Sequence, residues 1–259
     1  MTKNKDCENI ERLLHIMNEL REKCPWDKKQ TMESLRYLTI EEMYELSDAI
    51  LEHDLPEMKK ELGDILLHIV FYSQIAMENG AFDFADVVQG ICKKLILRHP
   101  HVFGEVKVND AEDVKINWEK IKLSEGRKSV LGGVPKSLPA MVKAFRIQEK
   151  VHGVNFDWEN SSQILEKVKE EIKEFEDEIK QNNPVKMEEE FGDVLFSLIN
   201  YARFLNINPE DALEKTNRKF IARFQKMEEL IQQDEKPLTE MNLPEMDIYW
   251  EKAKKMING

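Results

Sequence analysis

Five acidic residues in the first half of this chain recur in the same register in the second. Glu41, Glu42, Glu45, Glu61 and Asp64 return as Glu170, Glu171, Glu174, Glu190 and Asp193, each 129 positions further on (Glu41 to Glu170, Asp64 to Asp193). A fold for this sequence must therefore accommodate two copies of one unit. The spacing also sets the local geometry, because residues three or four apart share a helix face. Glu42 and Glu45 stack on one helix, and Glu61 and Asp64 stack on the next.

Two such helices packed antiparallel bring four carboxylates opposite one another. That is an all-oxygen cage suited to a hard divalent cation, magnesium by default. Such an ion, with open water positions, would bind nucleotide phosphates and orient or activate a water. One copy alone would say little. With 50 Asp and Glu among 259 residues, a Glu-rich helix face is ordinarily just solvated, and Thr39-x-x-Glu42 also fits a capping box. A solvated face has no reason to keep five acids at fixed spacing twice, and this repetition favours the metal site.

Composition bounds the rest. The chain is 41% hydrophobic with only 10 Gly and 9 Pro, which reads as folded and helical. Its length and repeat favour two domains, and we place them at 1–125 and 146–259, joined by a linker over 126–145. No apolar run approaches 18 residues, and the polar start, Met1 to Glu11, does not resemble a signal peptide. Cys7, Cys24 and Cys92 are odd in number and widely spaced, which suits a reducing compartment and argues against a Cys-based zinc site. The expected location is the cytoplasm. A net charge of −12 disfavours non-specific binding to nucleic acid or anionic membrane, so an anionic substrate would need local cations.

Apolar residues recur with helical period almost throughout. Leu13, Leu14, Met17 and Leu20 stripe one helix, and Met43, Leu46 and Ile50 the next; Ile65 to Ile75 is apolar enough to be buried. In the second half, Ile164 to Ile179 alternates by three and four, Asn182-Asn183-Pro184 breaks the pattern, and Met187 to Leu205 resumes it. A third helix, Phe84 to Arg98 or Pro209 to Ile231, closes each hairpin. Asp86, Lys94 and Arg98 in it match Asp211, Lys219 and Arg223. Lys94 with Arg98, and Lys219 with Arg223, share a face and supply the cations a phosphate chain requires, although an ordinary exposed basic face is the plain alternative. Finally, Trp118-Glu119-x-x-Lys122 matches Trp250-Glu251-x-x-Lys254. Ring and ammonium one turn apart could stack a base and hold a phosphate, or the ring could anchor a core. Gly126 to Pro139 reads as the linker, and its Gly-Gly-Val-Pro-Lys-Ser lacks the Walker spacing.

Glu-Glu-x-x-Glu, then Glu-x-x-Asp, Lys-x-x-x-Arg and Trp-Glu-x-x-Lys together resemble the MazG nucleoside triphosphate pyrophosphohydrolases of the all-α NTP pyrophosphatase superfamily. Cys24-Pro25-Trp26-Asp27, Arg98-His99-Pro100-His101-Val102-Phe103 and Gly132-Gly133-Val134-Pro135 look like the segments that mark the family's first domain and linker. The resemblance implies an all-α chain of two tandem MazG-like helical domains, each a bundle completed by homodimerisation. It also implies Mg²⁺-dependent (or Mn²⁺-dependent) hydrolysis of a nucleoside triphosphate to monophosphate and diphosphate. By matching, Glu171, Glu174, Glu190 and Asp193 would hold the metal and serve catalysis, a carboxylate or the metal activating water. Lys219, Arg223 and Lys254 would neutralise the triphosphate, and Trp250 would border the base. Glu42, Glu45, Glu61, Asp64, Lys94, Arg98, Trp118 and Lys122 would form a second site. The resemblance favours the second copy as the main catalytic domain; in the first, Cys92 stands where the second has Asn217, and Pro100 ends the helix early.

Three rival readings share parts of this pattern. A di-iron carboxylate bundle wants Glu-x-x-His on each of two helices, and only Glu149-x-x-His152 fits, away from both acidic motifs. A dUTPase- or dCTPase-like enzyme would share the metal machinery. A non-enzymatic helical regulatory protein would use the acidic faces for partners.

Overall fold

A computed structural model describes residues 2–126 and 129–257, and every regular element among them is helical. By contacts the chain divides into two compact units, Met1–Lys107 and Val108–Gly259. Family and fold expectations agree on the all-α class; no strand occurs among the described residues.

The first unit comprises α1 (Thr2–Lys23), α2 (Met32–Leu51), α3 (Leu55–Glu78), α4 (Phe84–Arg98) and the single turn α5 (Pro100–Phe103). Thr31, extended at φ −118°, starts α2 with a reciprocal cap: its side chain accepts from the Ser34 amide, and Ser34 Oγ accepts from the Thr31 amide. Thr39 is therefore inside the helix, and the capping role open to it on sequence falls away, because the chain already turns helical seven residues earlier. A tight turn through His53, at φ 56°, leads to Asp54, which caps α3 ahead of Pro56. α2 and α3 thus run antiparallel as neighbours. Met17, Leu35, Val70, Phe71 and Ile75 form the core, with Leu13, Leu14 and Phe84 against it. Truncating the fully buried Leu35 to Ala would cost about 3 kcal/mol. Met43 and Ile50, expected on the buried stripe of α2, are half exposed.

The second unit holds α6 (Ala111–Ser124), α7 (Ala140–His152), α8 (Ser161–Gln181), α9 (Pro184–Phe204), α10 (Pro209–Gln233) and α11 (Leu243–Ile257). The break at Asn182-Asn183-Pro184 is as the sequence suggests. Asn182 adopts the left-handed conformation at φ 52°, Asn183 caps α9 and Pro184 opens it. α8 and α9 form the second antiparallel hairpin, while α10 packs mainly on α11. Met227, Ile231, Tyr249 and Ala253 are the buried centre of that pairing. The glycine-rich segment expected as the linker contains a short 3₁₀ turn, Val130–Gly133, whose Val130 carbonyl accepts a 3.1 Å hydrogen bond from the buried Lys150 Nζ.

Candidate metal centre

The antiparallel register of each hairpin places the two acidic motifs side by side. Glu42 and Glu45 of α2 converge with Glu61 of α3, and Glu171 and Glu174 of α8 with Glu190 of α9; in each trio the nearest oxygens lie within 4.8 Å of one another. Oxygens on one octahedral magnesium are roughly 3 to 4 Å apart, from a bond length of about 2.1 Å, so small side-chain rotations close either cage. Asp64 and Asp193 stand one turn further along α3 and α9. Asp64 makes itself felt through its charge on Glu42.

The electrostatics of both trios show crowded negative charge. Burial, reinforced by Asp64 and Glu45, raises the Glu42 carboxyl above its ordinary pKa. Desolvation and then the Glu61 charge raise Glu45; desolvation and then Glu171 raise Glu174. Glu61 goes the other way, lowered chiefly by its hydrogen bond from Lys60. It is also the deepest of the set at 1% exposure, and its Oε2 is buried with no hydrogen-bond partner. A buried carboxylate oxygen without a donor is costly unless something positive reaches it. With an all-carboxylate donor set, this orphan fits a divalent cation.

The remaining expected residues fall on two elements per copy. Lys94 (exposed) and Arg98 (half-buried) lie on α4, which packs against α3. Lys219 (exposed) and Arg223 (half-buried) lie on α10. Trp250 on α11 is half-buried against the Met227–Ile231–Tyr249–Ala253 centre, and its ring is 5.2 Å from that of Phe220, the neighbour of Lys219. The indole therefore serves a core, with one edge beside the basic face of α10. Lys254 is exposed and paired with Glu251 at 3.2 Å. Trp118 and Lys122 belong to α6, in the second compact unit, with Lys122 buried.

Sequence reasoning missed three features. Lys60 and Lys167 pair with cluster carboxylates, a contact legible for Lys167 from its spacing to Glu171, four positions on. Thr39 is a hub, with Oγ1 2.6 Å from His68 Nδ1 and 2.8 Å from the Tyr72 hydroxyl. Phe220 extends the ring of Trp250. The rival di-iron spacing finds no support: Glu149 pairs with Arg146 at 2.7 Å, and His152 with Asp157 at 2.6 Å.

Comparison with known proteins identifies the family. A family profile described as the MazG nucleotide pyrophosphohydrolase domain matches residues 30–103 and 159–227, the stretches that carry the two carboxylate trios. The chain is 49% identical over 250 residues to the nucleoside triphosphate pyrophosphohydrolase/pyrophosphatase MazG of Thermotoga maritima, covering 95% of each chain. It is 41% identical over 255 residues to the nucleoside triphosphate pyrophosphohydrolase of Escherichia coli, covering 95% of this chain and 97% of that one. An uncharacterised Bacillus subtilis protein, YabN, is 48% identical over 245 residues, which is 92% of this chain and 50% of that one.

Proposed function

The chain belongs to the MazG nucleotide pyrophosphohydrolase family, and from that premise we propose that it hydrolyses nucleoside triphosphates to monophosphate and diphosphate at the carboxylate trio of its second copy. The observation that carries this reading is the convergence of Glu171, Glu174 and Glu190 within one family-matched segment. With Asp193 one turn away, these residues would hold Mg²⁺ or Mn²⁺, which when bound lowers the pKa of a water and offsets phosphate charge.

The chain's own groups do the rest. A carboxylate of the trio takes the proton of the attacking water. Water attacks the α-phosphorus, the bond to the bridging oxygen breaks, and diphosphate leaves with that electron pair. Lys219, Arg223 and Lys254 offset the charge of the triphosphate and the leaving group. The edge of Trp250 beside Phe220 offers a face for the base.

The first copy, with Glu42, Glu45, Glu61 and Asp64, is a second cation site of lesser catalytic weight, and Lys94 and Arg98 are its phosphate-facing cations. Assembly as a homodimer is supported by apolar side chains left uncovered at matched positions of the hairpins, Leu62 and Ile69 in one and Phe191 and Leu198 in the other, all more than 40% exposed. No described helix is long and apolar enough to cross a membrane. Free cysteines and the acidic charge accord with a cytoplasmic location away from nucleic acid.

The deciding experiment is diphosphate release from a panel of ribo- and deoxynucleoside triphosphates with Mg²⁺ or EDTA. Metal-dependent formation of monophosphate and diphosphate in equal amounts is expected. Turnover of none of the panel would return the chain to the binding-protein reading.

A further inference from the structure

The two carboxylate trios are related by the 129-residue repeat, yet each is clamped by a lysine on a different member. In the first, Lys60 Nζ lies 2.7 Å from Glu57 Oε1 and 2.9 Å from Glu61 Oε1. In the second, Lys167 Nζ lies 3.0 Å from Glu170 Oε1 and 2.8 Å from Glu171 Oε1. The position matching Lys60 is Glu189, and the position matching Lys167 is Leu38. The two clamps are thus not copies of each other. One falls on the α3 carboxylate, the other on the α8 carboxylate at the opposite side of the hairpin.

Both lysines share one design. Each forks between a buried carboxylate of the trio and a surface carboxylate, Glu57 or Glu170, each about half exposed. The ammonium is a compact point charge on a flexible stem, and both stems reach solvent. Each lysine can therefore leave the trio and keep its surface partner. While it stays, it holds one ligand carboxylate in place and occupies one of that carboxylate's oxygens. In the first copy this leaves Glu61 Oε2, buried and unpartnered, as the oxygen open to a cation.

We propose that Lys60 and Lys167 are positioning residues that compete with the divalent cation for a ligand carboxylate, so that cation loading is set separately in the two copies. This rests on the reading of the trios as cation sites. Removing either ammonium makes its own trio more negative and frees an oxygen, so cation affinity rises in that copy alone.

The test is a Mn²⁺ titration of the full chain, followed by the electron paramagnetic resonance signal of free Mn²⁺, which reports site number and affinity without turnover. Lys60→Met in a Glu174→Gln background and Lys167→Met in a Glu45→Gln background isolate the two copies. Lys59→Met and Lys169→Met, exposed neighbours carrying the same charge loss, serve as controls. Affinity should rise roughly three- to tenfold in the clamp variants and by less than about twofold in the controls. Lys60→Arg and Lys167→Arg, which keep the positive charge, should stay near the parent. Clamp variants that match their controls, or bind Mn²⁺ more weakly, would overturn the inference while leaving the sites intact. Failure of the parent chain to bind Mn²⁺ at all would instead remove the site reading, and the clamps with it.

Discussion

Thr39 Oγ1 and His68 Nδ1 are 2.6 Å apart, across the interface of α2 and α3 and directly beyond the first carboxylate trio. The same hydroxyl lies 3.0 Å from the Leu35 carbonyl, which can only accept, and 2.8 Å from the Tyr72 hydroxyl. Thr39 donates to the Leu35 carbonyl, and its hydroxyl joins His68 and Tyr72 in one hydrogen-bonded group.

Burial lowers the His68 pKa, with Asp64 opposing. The folded state thus binds this proton less readily than the unfolded chain, whose His titrates near 6.5. The stability contributed is present above the unfolded pKa and is lost as pH falls from there through the lower folded pKa. Urea midpoints of the chain should fall between pH 7.5 and 5.5, and His68→Gln should flatten part of that slope. An unchanged slope in the variant would mean that His68 does not carry this linkage.

Glu174→Gln should lower diphosphate release on the order of 100-fold, because it removes a ligand and a proton acceptor together. Glu45→Gln should leave most of the activity. Steady-state rates on one nucleotide distinguish the copies, and equal losses in the two variants would contradict the assignment of the main site to the second.

The raised carboxyls Glu42, Glu45 and Glu174 carry a pH signature of their own. A carboxyl with a raised folded pKa adds stability below its unfolded value, and that contribution is lost as pH rises through the folded one. At neutral pH the cation-free chain therefore carries the repulsion of ionised neighbours, which a bound cation relieves. Millimolar Mg²⁺ should raise the melting temperature more at pH 7.5 than at pH 5. At a hundredfold excess over the dissociation constant the gain is about 2.7 kcal/mol. An equal gain at both pH values would show that these groups are not where the ion binds.

Trp250 packs on the α10–α11 core and touches Phe220, so Trp250→Ala should cost about 3 kcal/mol of stability whatever the substrate does. Trp250→Phe should restore most of that stability. If the indole also borders the base, the Phe variant will show a raised KM with kcat nearly unchanged. Thermal unfolding and steady-state kinetics on the same preparations separate the two roles.

The sequence by itself determined the duplication, the helical class, the Asn-Asn-Pro break and the limits of α4, because repeat spacing, helix pitch and capping chemistry act within a few residues of chain. It also put Glu42 beside Glu45 and Glu171 beside Glu174, since pairs three apart meet whenever the helix forms. Only the tertiary structure decided what crosses between helices. It brings the glutamates Glu61 and Glu190 into the trios, with Asp64 and Asp193, shorter by one methylene, a turn beyond. It made Thr39 an interior hub rather than a cap and seated Trp250 on a core. Those outcomes depend on side-chain reach and helix register, which are set by packing of the whole hairpin and which no local spacing encodes.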